Sequence, residues 1–355
     1  MNSHPNDEIY QAQILTRVSR TFALTIPQLP PALSNVVSNG YLLCRIADTI
    51  EDESYLTPQV KKYFTHEFIK VITGESDAQI FSKNLHSQLS SSTSNSEKEL
   101  ILNTPRITRL THSFSPQQQQ TLYHCVRIMA KGMAEYQQRS SLAGLKDLTE
   151  LDQYCYYVAG VVGEMLTQLF CHYSPQIAEK HHQLQTLATS FGQALQMTNI
   201  LKDNWEDRQR GACWLPQEIF THRGIDLTTI TPQNQPTAYS DGIAELISIT
   251  RVHLHNALRY ILLIPATQTG IRRFCIEALI FAILTLRKIN QTPKYTQGQQ
   301  VKITRRSVKA TIITTYLTAH SNHSLSLLYN ILTRPLPPEQ PVIQTNNKPK
   351  PQIHI

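Results

Sequence analysis

Glycine is scarce in this chain, at 12 of 355 residues. Sustained apolar–polar alternation is scarcer still. Together the two shortages argue against a sandwich or barrel, which needs tight turns and half-buried strands. Cysteine pairs are missing too. Cys44, Cys125, Cys155, Cys171, Cys213 and Cys275 stand singly within apolar patterns, with no C-x-x-C among them. That excludes the spacing of a zinc ribbon or a dithiol redox site and leaves reduced, buried thiols as the expectation. Long apolar runs are absent. The most apolar stretch, "ALIFAILTL" at 278–286, is bounded by Glu277 and Arg287, whereas a bilayer span takes about 20 residues. No transmembrane anchor is therefore expected. The first residues, "MNSHPNDEIYQAQ", carry neither a basic n-region nor an apolar h-region, so a cytoplasmic protein is expected. Charged residues are thin at 17%, while 41% are hydrophobic, which suits a compact core. The balance is basic, +7, and suits a polyanion. No nucleic-acid-binding motif accompanies it, so no nucleic acid partner is expected.

What is present is helical periodicity. Apolar residues at three- and four-residue spacings predict helices over 8–25, 31–53, 57–73, 76–88, 116–139, 150–172, 176–205, 240–263, 270–290 and 302–318. Pro27, Pro30 and Pro31 separate the first two. Asp147 or Thr149 is placed to cap the sixth. The expected fold is all-α, one helical domain over residues 1–332. "SSSTSNSE" (90–97) reads as a polar loop and 223–240 as a long connection. From Arg334 on the sequence is Pro-rich and polar, so 333–355 is expected to be a disordered tail.

Two acidic helix ends stand out. "RIADTIEDE" (45–53) puts four acidic side chains into nine positions. Asp48, Glu51 and Asp52 fall at i, i+3 and i+4, on one helix face, and Arg45 precedes them by three residues. Far along the chain, "QMTNILKDNWEDRQRG" places Gln196, Asn199, Asp203 and Asp207 at spacings of three or four. Like charges so spaced repel, and carboxylates at a helix C-terminus oppose its dipole. Either cluster alone reads as a solvated helix end. A locally unfavourable feature that occurs twice points to a site. Hard oxygen donors on rigid helices suit Mg²⁺, with room left for a substrate diphosphate. Zinc does not fit, because no His or Cys has ligand spacing beside them. His181 and His182 lie in a polar run and read as surface.

These blocks resemble the head-to-head trans-isoprenyl diphosphate synthases, the squalene and phytoene synthases, over about residues 14–318. "VSRTFALTIPQLP" (18–30) resembles the family's Ser-Arg-Ser-Phe block, and "YLLCRIADTIEDE" its first aspartate-rich motif. "LDQYCYYVAGVVGEMLTQLF" is similar to its tyrosine-bearing block, and "FGQALQMTNILKDNWED" to its second aspartate-rich motif. "RRFCIEALIFAILTL" and "VKITRR" resemble the Phe-Cys and Val-Lys-Ile blocks of squalene synthases in particular.

The resemblance implies an isoprenoid-synthase-type helical bundle around a central apolar cavity. It implies condensation of two farnesyl diphosphates to presqualene diphosphate and, with NADPH, reduction to squalene for sterol or hopanoid biosynthesis. Mg²⁺ would sit at Asp48, Glu51, Asp52, Asp203 and Asp207. Arg20, Arg45 and Lys202 would meet diphosphate or NADPH phosphate. Tyr157 would assist catalysis near the departing diphosphate, and Lys302 with Arg305 would serve the reduction. Ser19, Phe22, Gln196 and Asn199 would contact substrate. An oily product implies peripheral membrane contact. Phe22, Tyr41, Tyr154 and Tyr157 offer π-faces to a cation, or are ordinary core aromatics. Gly160 and Gly163 leave space for a substrate chain or for close helix packing. Three positions depart from the family: Ala212 and Thr304 stand where an Arg is usual, with Arg208 or Arg210 near the first, and Ala278 replaces a proline. They bear on the nicotinamide contacts. The alternative is a non-reductive synthase making presqualene diphosphate, dehydrosqualene or phytoene.

Overall fold

The computed structural model describes residues 5–19 and 21–340; Arg20 and residues 341–355 of the expected tail lie outside the described residues. Among these residues no strand forms beyond two isolated bridges, Leu145 with Pro216 and Thr231 with Asn234. The fold is all-α.

The chain opens with α1 (Pro5–Val18), which stops short of the helix predicted over 8–25. Ser19 supplies the reason. Its Oγ accepts from the Phe22 amide at 3.0 Å, a local bond that competes with the helical one. A short α2 (Phe22–Thr25) and a 3₁₀ turn (Ile26–Gln28) follow. They lead into α3 (Pro31–Asp52), whose first position takes a proline because no helical partner awaits an N–H there. α4 (Pro58–Thr73) is capped by the Thr57 side chain and closed by Gly74 at φ 82°. α5 (Ala78–His86) is capped by Asp77.

The predicted polar loop then turns helical. Ser94 and Glu97 form a reciprocal capping box that starts α6 (Asn95–Leu102), and α7 (Thr104–Ser113) follows. Both escape the periodicity because Asn103 and Pro105 interrupt it. α8 (Pro116–Arg139) precedes α9 (Leu148–Cys155), where Asp147 accepts from the Glu150 amide at 2.9 Å. The helix predicted over 150–172 is broken by one π turn, Tyr156–Gly160, before α10 (Val161–Tyr173). After α11 (Pro175–Ala178) comes α12 (His181–Gln209), at 29 residues longer than its predicted end at 205. The rest are α13 (Gln217–Thr221), α14 (Thr237–Leu263), α15 (Thr269–Gln291), α16 (Gly298–Val301), α17 (Arg305–Thr318) and α18 (Asn322–Thr333). α18 is absent from the helices predicted above, although Leu325, Leu328, Tyr329 and Leu332 carry the spacing.

α12 runs through the middle, packed by α10, α14 and α15, while α3 lies against α8. The start of the expected tail is held rather than free. Pro335 accepts from Asn290 Nδ2 at 3.2 Å, Ser248 donates to the Pro338 carbonyl, and Arg251 to the Pro337 carbonyl. Proline offers no N–H but keeps a carbonyl, so a Pro-rich segment can still be pinned by donors.

One buried acid gives a pH test. Glu277 of α15 is fully buried; its Oε1 accepts from Thr315 of α17 at 3.2 Å, and its Oε2 has no partner among the described residues. Burial pushes this carboxyl up to about 7, against the opposing pull of Thr315 and Arg273. The folded state therefore keeps a proton that the unfolded chain, near pH 4.3, has released. Stability is fully present below that pH and declines as pH rises to about 7. Glu277→Gln should stabilise by about 1–3 kcal/mol at pH 8 and by little at pH 5, read from urea midpoints at the two pH values.

Candidate active site

α3 and α12 each run from apolar to acidic along a shared cavity. α3 contributes Val37, Tyr41, Cys44 and Asp48 to the wall; α12 contributes Ala188, Phe191, Gly192, Leu195, Gln196 and Asn199. The remaining lining is mostly apolar, from Phe22, Ile26, Met129, Val162, Leu166, Phe170 and Phe274 among others. The cavity measures about 230 Å³, many times the room a water needs. Its polar groups are few, and Asp48, Gln196 and Asn199 stand toward the acidic helix ends.

Beyond the cavity the two acidic ends converge. Arg210 Nη1 lies 2.8 Å from Asp52 Oδ1, and its Nη2 lies 2.6 Å from Asp207 Oδ1. One guanidinium thus stands between the two motifs. Lys202 Nζ sits 3.0 Å from Asp203 Oδ2 and donates to Asn199 Oδ1 at 3.2 Å. Arg45 ion-pairs with Glu97 of α6 and lies 3.8 Å from Asp48 Oδ2.

The crowding shows in proton affinity. Burial pushes Asp48 up to about 7; Arg45 opposes the rise, while Asp52 and Glu97 add to it. Glu51 is raised well above its ordinary value by burial, then by Asp52 and Asp48. Asp207 rises to about 6 through burial, with Arg210 opposing and Asp203 and Asp52 adding. Charges so placed are relieved by a cation. No group of three His, Cys, Asp or Glu side chains among the described residues is arranged to hold a metal ion by itself. One or two carboxylates completed by substrate oxygens is the arrangement Mg²⁺ accepts, so these donors fit it.

The other predicted residues divide. Phe22 lines the cavity and meets the Tyr41 ring at 5.1 Å, while Ser19 is buried and caps the turn before it. Tyr157 stands in the π turn, with its ring over Gly132 of α8 and 6.1 Å from the Tyr136 ring, outside the cavity lining. Lys302 and Arg305 are exposed. Lys302 follows α16, whose Gly298 amide donates to Glu206 of α12 at 2.8 Å, and a Cβ there would come within 3.2 Å of Asp203 Oδ1. The basic ends beside Asp203 fit a phosphate.

Of the two readings for Tyr154, the core aromatic holds: it is buried, stacked on Trp214 at 4.2 Å, outside the cavity lining, and held protonated first by burial and then by Glu51, Asp207 and Asp52. Lys61 and Glu97 are neighbours that the sequence motifs do not include. Lys61 of α4 donates to the Glu51 carbonyl. Glu97 carried a readable signal, the S-x-x-E of a capping box. Of the two arginines near Ala212, Arg210 reaches the carboxylates, whereas Arg208 donates to the Leu227 and Ile230 carbonyls. Glu53 also leaves the acidic face: it accepts from Tyr55, Ser90 and Thr93 and anchors the 90–93 loop.

Comparison with known proteins adds the following. The family described as squalene/phytoene synthase matches residues 15–307. A squalene synthase of Eremothecium gossypii is 31% identical over 276 residues, covering 77% of this chain and 60% of the relative. One of Cyberlindnera jadinii is 31% identical, covering 85% and 66%. The match therefore spans less than two thirds of these relatives' length. Among solved structures, the complex of TcSQS with the ligand BPH1237 superposes with TM-score 0.71 at 23% identity, over 92% of this chain and 91% of that one. A dehydrosqualene synthase in complex with a ligand superposes with TM-score 0.66 at 20% identity, over 88% and 97%. Both likenesses show the fold.

Proposed function

This chain belongs to the squalene/phytoene synthase family, and from that premise we propose that it joins two farnesyl diphosphates head to head, through presqualene diphosphate, to squalene. The observation that carries the reading is the Arg210 guanidinium between Asp52 and Asp207, at the acidic end of a cavity whose wall includes Asp48, Gln196 and Asn199. A cation already stands where two acidic motifs meet. Mg²⁺ held by Asp48, Glu51, Asp52, Asp203 and Asp207 would supply the charge that draws off an allylic diphosphate. Lys202, Arg45 and Arg210 add positive charge beside the leaving group, as does Arg20 on the resemblance. The apolar wall from Phe22, Leu166, Phe170, Phe191 and Phe274 keeps water from the allylic cation. Tyr41 adds an aromatic face to that wall. Tyr157 keeps its catalytic assignment from its block, supported by its place in a π turn, a feature frequent at functional sites.

Lys302 and Arg305 serve NADPH phosphate in this reading, supported by their exposure one short helix away from Asp203. A second reading omits the reduction and ends at presqualene diphosphate, dehydrosqualene or phytoene. Thr304 favours it. Where the family carries Arg, this side chain caps α17, accepting from the Ser307 amide at 3.1 Å. Incubation of the purified protein with farnesyl diphosphate and Mg²⁺, with and without NADPH, separates the two. Squalene formed only with NADPH supports the first; a conjugated triene regardless of NADPH supports the second. No helix among the described residues is long and apolar enough to cross a membrane, and we infer a cytoplasmic protein that meets a membrane peripherally.

A further inference from the structure

α17 is built inside out. Its buried positions are Thr311 and Thr315, and Thr315 bonds Glu277 of α15. Its outward stripe of Arg306, Lys309, Ile313, Tyr316 and Leu317 repeats at three- and four-residue spacing. Ile313 is 63% exposed, Tyr316 60% and Leu317 73%. A helix facing only water places such side chains inward and its threonines outward. α18 follows after 319–321 and adds Leu327 and Ile331, both more than half exposed. Single exposed apolar residues are ordinary, but successive ones on two consecutive helices call for a cover.

Charge says what kind of cover. Between Ala278 and Pro338 lie eight of the 33 Lys and Arg and none of the 26 Asp and Glu. The remainder of the chain, with 25 basic against 26 acidic residues, is close to neutral. The basic balance of the whole protein is therefore the charge of this segment. A nucleic acid would use the cations and leave Ile313 and Leu317 in water. A second copy of the chain would use the apolar tips but bring Arg306 and Lys309 against their own kind. An anionic bilayer uses both: aliphatic tips enter the acyl boundary, cations meet headgroup phosphates, and a tyrosine ring sits between.

We propose that the outward stripe of α17, continued on α18, docks on an anionic lipid bilayer. This gives the peripheral contact inferred above a face, and it rests on exposure and charge, whatever the reaction product. The cavity lies on the other side of α15, whose Phe274, Cys275 and Ala278 line it. Two helices, α17 and α15, thus separate the docked bilayer from the cavity.

The test is cosedimentation of the full chain with vesicles of phosphatidylcholine, alone or with about a third phosphatidylglycerol. Wild-type protein should pellet with the anionic vesicles, stay in solution with phosphatidylcholine alone, and be released by high salt. The pairs Ile313→Ser/Leu317→Ser and Arg306→Gln/Lys309→Gln should each weaken binding about tenfold or more. The first pair should leave turnover of soluble farnesyl diphosphate unchanged. Unaltered binding by both pairs overturns the proposal, as does the absence of binding to anionic vesicles. A wild-type dimer that the first pair splits, without lipid binding, would make the face a contact between copies and overturn it too. A protein that binds vesicles but turns over no farnesyl diphosphate would sink the proposed reaction and leave this face standing.

Discussion

Asp48→Asn and Asp203→Asn are each expected to cut turnover of farnesyl diphosphate by about two to three orders of magnitude. The two residues sit on helices far apart in sequence, and neither substitution changes side-chain volume much. Each removes one negative charge from a site already crowded with carboxylates. Asp48 lines the cavity near its polar end, and Asp203 is held by Lys202 at 3.0 Å. The folded state should not suffer. Burial and like charges already push Asp48 up to about 7, so a neutral amide there relieves a cost. The expected result is therefore an inactive protein with an unchanged or slightly higher unfolding midpoint. Product release from radiolabelled substrate checks the first part and a urea titration the second. Wild-type turnover in either variant would remove the carboxylate pair from the mechanism.

The acidic faces were legible because helical spacing alone aligns Asp48 with Glu51 and Asp52, and Asp203 with Asp207. That they meet was not legible. It depends on α12 running to Gln209, four residues beyond its predicted end, so that Arg210 reaches back across to Asp52. Nothing in the local pattern marks Arg210 above Arg208, and only the carbonyls of Leu227 and Ile230 show that Arg208 is taken. The same holds for Arg45. Its spacing from Asp48 is plain in the sequence, but its nearer partner is Glu97, carried on α6, where the sequence predicts a loop. Long periodic helices announced themselves. Short ones held by tertiary contacts, such as α6, α7 and α18, did not, and the 302–318 pattern announced α17 without its inverted polarity.

The two readings left open for the glycines of the tyrosine-bearing block turn on how close α10 and α12 come. A Cβ on Gly163 would lie 2.2 Å from the Ala188 carbonyl oxygen, and one on Gly192 would lie 2.1 Å from that of Ala159. Both obstacles are backbone, which cannot swing aside as a side chain can. Gly163 and Gly192 also line the cavity. Close packing and a smooth wall are therefore one requirement, because the helices that approach here are the wall. Ala159 belongs to the π turn that carries Tyr157, so displacement at Gly192 passes directly to that turn. Gly192→Ala should cost more than about 3 kcal/mol, in the range reserved for overpacked cores. It should also reduce turnover in whatever fraction remains folded. Gly211→Ala is the internal control. Gly211 has φ 83° and nothing within 4 Å of an added Cβ, so it should lose only about 1 kcal/mol, the strain of a left-handed backbone. Urea midpoints of the two variants measure the difference. Equal midpoints would mean that α12 and the π turn can part at little cost, and the cavity wall would then be softer than its packing indicates.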